Sequence, residues 1–215
     1  LLHPVVSGPE IQRFTFSASD SYLLYPYEGG NVLREPEFRT KYPFAYKYLK
    51  QYEDILSART SLRNDRFWFE LSEKRDVRWL GKPKLLTRDL ALRASFAPDV
   101  IGDMFLVGGT AVVPMGEQLL KPLLCYLNSR LVNWYLTQST PMFRADFVKF
   151  EPQHISQLPV PRALIEDAEN LSRLNALADL ASSRAPLGED YVVEIEDQIE
   201  EVIVEMTGID VRKFG

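Results

Sequence analysis

Five cations, Arg63, Lys74, Arg75, Arg78 and Lys82, crowd turn-like stretches around Trp68 and Trp79. A lysine ammonium meets a phosphate as a point charge, and an arginine fork meets guanine O6 and N7 together in a major groove. Recognition groups concentrate on loops held by a rigid scaffold, so this cluster reads as a candidate DNA contact in preference to plain solvated charge. Arg88 and Arg93 flank an expected strand, and Arg144 and Lys149 lie in a loop after an expected helix. For both pairs, DNA contact and ordinary surface charge explain the residues equally well. Arg59 closes an expected helix, where a cation complements the dipole, so a structural role competes with phosphate binding. Asn128 and Ser129 suit hydrogen bonds inside the fold better than base contacts. Trp68 and Trp134 read as core sooner than as stacking platforms.

Catalytic chemistry is not legible. His3 and His154 lie far apart and Cys125 falls on an expected buried helix position, so no metal-ligand spacing exists. The carboxylates between positions 189 and 205 share a helix with apolar residues and form a solvated face, not an acid–base pair. No PD…(D/E)xK nuclease pattern is visible.

The elements that must position these groups follow from hydrophobic period. Strands are expected at Arg13 to Phe16, Tyr22 to Tyr27, Phe67 to Leu71, Lys84 to Thr87, Ser95 to Ala97, Met104 to Val107 and Ala111 to Pro114. Gly108-Gly109 reads as a hairpin turn joining the last two. A helix is expected over Tyr42 to Ser57, with Ala45, Tyr48, Leu49, Tyr52, Ile55 and Leu56 on its apolar face and Pro43 in its first turn. Glu117 to Thr137 reads as a second helix. Beyond Pro161, Leu164 to Ala181 and Val192 to Met206 carry the same periodicity around a break with Pro186 and Gly188, the pattern of an αα-hairpin.

Length, composition and charge set the frame. The chain's 215 residues suit one large or two small domains, and 46% hydrophobic content with 14 prolines fits a globular protein. No run of about 18 apolar residues could span a membrane, and the N-terminus does not read as a signal peptide. Without an initiator Met, it reads as cut from a longer polypeptide. One cysteine excludes an intramolecular disulfide and suits a reducing cytoplasm. The net charge of −5 is unevenly spread: residues 1–162 hold 21 Lys/Arg against 17 Asp/Glu, residues 163–215 hold 4 against 13. Phosphate neutralisation supplies most non-specific DNA affinity, so the basic part is where a duplex would sit and the acidic tail should face elsewhere.

Several strings in order resemble one known family. Ser7-Gly8-Pro9-Glu10-Ile11-Gln12-Arg13-Phe14 is similar to a G-x-[DE]-I-x-R-[FY] entry segment, with Pro9 where a charge is commoner. Tyr22 to Tyr27 resembles a strand ending in [IL]-x-[FY]-P-Y. Tyr42 to Arg59, Arg66 to Glu70 and Pro83-Lys84-Leu85-Leu86 resemble its YP…YL…L…R, R…W[YFW]E and PK[IL][IL] strings. Leu119 to Pro161 then carries Leu127-Asn128-Ser129, a loop with Phe143-Arg144 and Lys149, and Leu158-Pro159-Val160-Pro161. This order resembles the TaqI-like C-terminal specificity domain of N6-adenine DNA methyltransferases in restriction-modification enzymes. The close at Met206-Thr207-Gly208-Ile209 lacks the tyrosine of the family's YG[IL] ending.

The resemblance implies an α/β (α+β) fold: a twisted, mostly antiparallel sheet with packed helices, then a C-terminal helical hairpin. It implies a DNA target-recognition domain over 1–162 and the hairpin over 163–215. The chain would present double-stranded DNA to an upstream methyltransferase domain of the same polypeptide, which would use S-adenosylmethionine. The chain itself has no Pro-Pro for a target-amine motif and no strand leading into a Gly-rich donor turn, so no cofactor, metal or catalytic residue is expected in it. The competing reading is a protein-docking or scaffold module that joins a restriction subunit or domain without reading DNA.

Overall fold

Short apolar strings between turn formers make the first part of the chain strand-rich, and longer amphipathic runs make the rest helical. The computed structural model describes residues 1–17, 20–61, 66–72, 77–140 and 147–213. Strand β1 (Leu2–Ser7) precedes the two-residue strands β2 (Ile11–Gln12) and β3 (Thr15–Phe16), then β4 (Tyr22–Leu24), β5 (Tyr27–Glu28) and β6 (Asn31–Val32). Helices α1 (Glu35–Lys41), α2 (Pro43–Lys50) and α3 (Glu53–Ser57) follow. Next come β7 (Lys84–Arg88), β8 (Leu90–Ala91), β9 (Phe96–Asp99), β10 (Phe105–Val107) and β11 (Gly109–Val112). The remainder holds α4 (Leu120–Leu127), α5 (Arg130–Ser139), β12 (Val148–Lys149), α6 (Pro152–Ile155), α7 (Ala163–Glu166), α8 (Ala168–Arg184) and α9 (Val193–Thr207). The class is mixed α/β with a C-terminal helical hairpin, as expected.

The sheet content is divided into small pieces. Strand β7 is central in an antiparallel β11-β7-β9 sheet, with Leu86 opposite Ala111 on one side and Ala97 on the other. A second sheet, β10-β1-β4, pairs β1 with β4 antiparallel and with β10 in parallel at Val5↔Phe105. Strand pairs β2–β3, β5–β6 and β8–β12 are antiparallel. Gly108, at φ +69°, does turn the chain between β10 and β11. The two strands nevertheless join different sheets, so the expected hairpin is not formed. A Cβ on Gly109 would meet the Thr87 carbonyl oxygen at 2.3 Å, the close approach that lets β11 cross onto β7.

The strand expected over 13–16 is instead a turn leading into β3, the strand expected over 22–27 is divided into β4 and β5, and the helix expected over 164–181 is divided at Asp167 into α7 and α8. Three further elements differ, each for a local reason. Phe67 to Leu71 is a turn, not a strand. Its carbonyls serve side chains: Arg59 Nη2 donates to the Trp68 and Glu70 carbonyls at 2.9 and 2.8 Å, and the Glu70 N–H donates to the Phe67 carbonyl. The helix expected over 117–137 is broken into α4 and α5. Ser129 has extended backbone, and its Oγ accepts from the Val132 N–H at 3.2 Å, so it caps a new helix. The helix expected over 42–57 breaks at Gln51 and Tyr52. Helix α1 was not expected from apolar period, but its charges suit it: Glu35 and Glu37 lie in its first turn, Arg39 and Lys41 in its last.

The main core joins the β7 and β9 strands, α4 and α5 to both arms of the C-terminal hairpin. Phe96, Leu124, Cys125, Leu136 and Phe150 pack in one buried cluster with Leu174, Ile195, Ile199 and Ile203. Asp167 starts α8 by accepting the Glu169 and Asn170 N–H groups at 3.0 and 3.2 Å, and Gly208, at φ +71°, ends α9. A satellite cluster of Leu33, Phe38 and Phe69 lies under α1 and α2, against Ala45, Tyr46 and Leu49.

Candidate nucleic-acid interface

The turn over 77–82 owes its shape to a buried ion pair beneath it. Lys84 opens β7 and Asp99 closes β9, directly opposite in register. Both side chains are almost fully buried, with Lys84 Nζ 2.7 Å from Asp99 Oδ2. Burying two charges is costly unless each is fully hydrogen-bonded, and here the remaining capacity is used. Lys84 Nζ also donates to the Gly102 carbonyl at 2.5 Å, while the Asp99 carboxylate accepts the Gly102 and Met104 N–H groups at 2.8 and 3.1 Å. The Gly102 carbonyl takes a second donor, the Gly81 N–H at 2.9 Å. Gly102, at φ +82°, leaves no room for a Cβ, which would lie 2.3 Å from the Lys82 carbonyl oxygen. The pair thus fixes the 99–104 loop, and that loop fixes the 77–82 turn.

On this anchored turn Trp79 is 42% exposed. Lys82 Nζ lies 5.0 Å from the Trp79 ring centroid and the Arg78 guanidinium 5.8 Å from it, both residues exposed. In the 99–104 loop that holds this turn, Val100 and Ile101 are 60% and 75% exposed. A rigid base therefore presents one aromatic ring between two cations. Such a unit can place charge on phosphates and an apolar or stacking surface on a nucleotide.

The other expected contacts are placed differently. Arg63, Lys74, Arg75 and Arg144 lie outside the described residues. Arg88 Nη2 donates to the Ile11 carbonyl within the fold, and its Nε is buried. Arg93 faces the acidic hairpin, 3.0 Å from Glu189 and 3.7 Å from Glu196. Lys149 lies 3.3 Å from Glu151. Arg59 clamps the Trp68 turn as already described, so its structural role is the one visible. Arg78 and Lys82 are the two described residues of the set that the fold brings together.

The strings that carry the family resemblance are mostly internal. A Cβ on Gly8 would meet the Gly108 carbonyl oxygen at 2.6 Å. Glu10 Oε2 accepts from the Ser7 N–H and Oγ at 2.6 and 2.8 Å. The buried Arg13 donates to Glu196 Oε1, the Ala94 carbonyl and the Asn128 carbonyl, at 2.7, 2.6 and 2.7 Å. Asn128 itself acts as a peptide mimic: its Oδ1 accepts from the Phe96 N–H and its Nδ2 donates to the Phe96 carbonyl, both at 2.9 Å. Tyr126 Oη donates to the Pro159 carbonyl, tying α4 to the LPxP segment, and burial pushes the Tyr126 phenol up to about 12. Asn128 and Ser129 thus serve the fold, as their residue types suggested.

The family model of the TaqI-like C-terminal specificity domain matches residues 3–160. The chain belongs to this family. No curated protein matches the chain. As a member of a specificity-domain family, it is supported in a DNA-recognition role in a methyltransferase or restriction-modification context. Sequence reasoning about this specificity domain missed Asp99 and placed Arg13 only as a letter of the entry string, without its role in the fold. The signal for both was a lone charge inside an apolar string. Burial pushes the Cys125 thiol well above its usual range, which keeps it protonated, and no metal-ligating cluster is found among the described residues. None of the described helices is long and apolar enough to cross a membrane.

Proposed function

We propose that this chain grips duplex DNA beside a target adenine for an N6-adenine methyltransferase domain upstream in the same polypeptide, with the Trp79 turn as a principal contact. The family match over residues 3–160 carries this reading. The Trp79 turn supports it by offering two cations and an exposed ring on a base that a buried ion pair holds still. Lys74 and Arg75, which adjoin the turn in sequence, with Arg63 and Arg144, complete the proposed contact set. Arg88, turned to the Ile11 carbonyl inside the fold, and Arg93, turned to the acidic hairpin, are left out of it, and Lys149, beside Glu151, stays a secondary member. Donor binding and methyl transfer belong to the upstream domain with S-adenosylmethionine.

The test is duplex binding by the full-length protein at several salt concentrations. If Arg78 and Lys82 touch phosphates, alanine at either should weaken binding to every sequence and reduce the salt slope of log K by about 1. If Arg78 reads a guanine, its loss should cost roughly 1–3 kcal/mol on the cognate site alone and relax preference at one base pair. Unchanged affinity, slope and site choice in the double variant would remove this turn as a DNA surface. Tight capture of a restriction subunit with indifference to DNA would favour the docking reading instead.

A further inference from the structure

Helix α2 has more apolar surface than its core can take. Its register turns Ala45, Tyr46 and Leu49 inward, onto Phe38 and Phe69. Phe44 is left 88% exposed and Tyr48 54% exposed, and Tyr52, just beyond the helix, is 42% exposed with its ring 5.4 Å from that of Tyr48. The sequence periodicity places Tyr48, Tyr52 and Ile55 on the buried face, and the structure puts all three in solvent.

A row of cations runs beside these rings. Arg39, Lys47 and Lys50 line one open concavity of about 720 Å³ with Pro43, Tyr46 and Gln51. On the other side of Pro43, Phe44 and Tyr48 line a second concavity with Leu2, Tyr22, Leu24 and Lys41. Lys50 pairs with Glu53 and Lys41 with Glu28, each at 2.5 Å. Arg39 and Lys47 make no ion pair or side-chain hydrogen bond among the described residues. At 100° per residue Lys47 and Lys50 share one strip of α2, and Phe44 and Tyr48 the adjacent strip. Along the axis, Phe44 and Tyr48 are separated by about 6 Å, so each turn offers one ring and one cation.

From this surface we infer a second nucleic-acid site, one that takes a DNA strand with unpaired bases. The strand lies along α2, its phosphates toward Arg39 and Lys47 and its bases over Phe44 and Tyr48. Cation rows beside stacking rings are the chemistry that holds single strands without regard to sequence, because every base has a π-face. A paired duplex hides those faces, so the exposed rings select unpaired bases. A protein partner fits less well: lysine is depleted from protein interfaces, and here lysines line both concavities. This inference goes beyond duplex recognition and does not rest on the Trp79 turn.

The test measures fluorescence anisotropy of a labelled dT oligonucleotide of roughly 12 nucleotides with the full-length protein at low salt. Wild type should bind it. Phe44→Ala and Tyr48→Ala should each weaken binding about tenfold, and Arg39→Ala and Lys47→Ala should each lower the salt slope by about 0.7. All four side chains are exposed, so thermal melts should match wild type. Duplex binding, measured in parallel, should survive these changes and respond to the Arg78 and Lys82 variants instead. Equal dT affinity in wild type and the Phe44/Tyr48 double variant would overturn the inference, as would no dT binding by wild type. Loss of a protein partner with dT binding intact would overturn it in favour of a docking face.

Discussion

At Arg13 three acceptors converge on one buried guanidinium, and this residue ties the entry segment to the chain just before β9, to the α4–α5 junction and to the C-terminal hairpin at once. Burial pulls its pKa down, and Glu196 opposes that pull. Removing one member of a buried charged pair strands the other, so Arg13→Ala should cost about 3–5 kcal/mol in urea unfolding. Arg13→Lys should recover only part of this, because an ammonium cannot reproduce the fork. A loss under about 1 kcal/mol would show that the guanidinium is not holding these elements together. Glu200, on α9 one turn beyond Glu196, gives a second, pH-dependent case. Desolvation pushes its carboxyl above the usual carboxylate range, against the Arg130 N–H that donates to it and the Arg130 and Arg13 charges. A folded pKa above the unfolded one means stability present at low pH and lost as pH rises through the raised value. Glu200→Gln keeps an acceptor for the Arg130 N–H. Its stability should equal wild type near about pH 4 and exceed it near about pH 8, the gap opening between. Parallel stability–pH curves for the two proteins would contradict this.

Among the elements, the junction of α4 and α5 shows what residue types can and cannot announce. Ser129→Ala should cost about 1 kcal/mol as a lost helix cap. Asn128→Ala should cost about 1–3 kcal/mol by leaving the buried Phe96 N–H unpaired, with chemical denaturation as the readout for both. The apolar period predicts one helix over 117–137 because it runs on past the junction: Leu124, Leu127, Leu131 and Leu136 are all buried. Only the Asn-Ser pair, which can bond backbone and cap a helix, marks the break. β7 and β9 were legible as apolar runs because they are buried, and the C-terminal hairpin because both arms keep strict helical spacing. The Phe67–Leu71 turn was not legible, since its aromatic composition mimics a strand and the clamp that bends it, Arg59, comes from another segment. The exposure of Tyr48 and Tyr52 was hidden for a related reason. Periodicity reports that a helix has an apolar face, not whether the neighbouring core is large enough to cover it.

Over the whole molecule, charge and core divide the chain differently. Composition sets an acidic end apart from a basic body, and the Arg93 contacts with Glu189 and Glu196 show the acidic hairpin meeting that body through ion pairs. The apolar core does not respect that division, for α8 and α9 bury their inner faces in the same cluster as β7, β9, α4 and α5. Leu174, Val192, Ile195, Ile199, Val202 and Ile203 are each at most 2% exposed. At about 1.5–3 kcal/mol per fully buried aliphatic side chain, these six contribute on the order of 10 kcal/mol. That is comparable with the 5–15 kcal/mol net stability of a typical domain. Ending the chain after Arg162 would also leave the α4 residues Leu124, Cys125 and Tyr126 uncovered, and Arg13 without Glu196. Such a truncated protein should therefore lose its cooperative thermal transition and its duplex binding together, although every proposed DNA contact is still present. Circular dichroism melts and low-salt binding on the same sample read the two effects side by side. A cooperative melt at the full-length temperature would show that the hairpin is an appendage to the specificity domain and not part of what folds it.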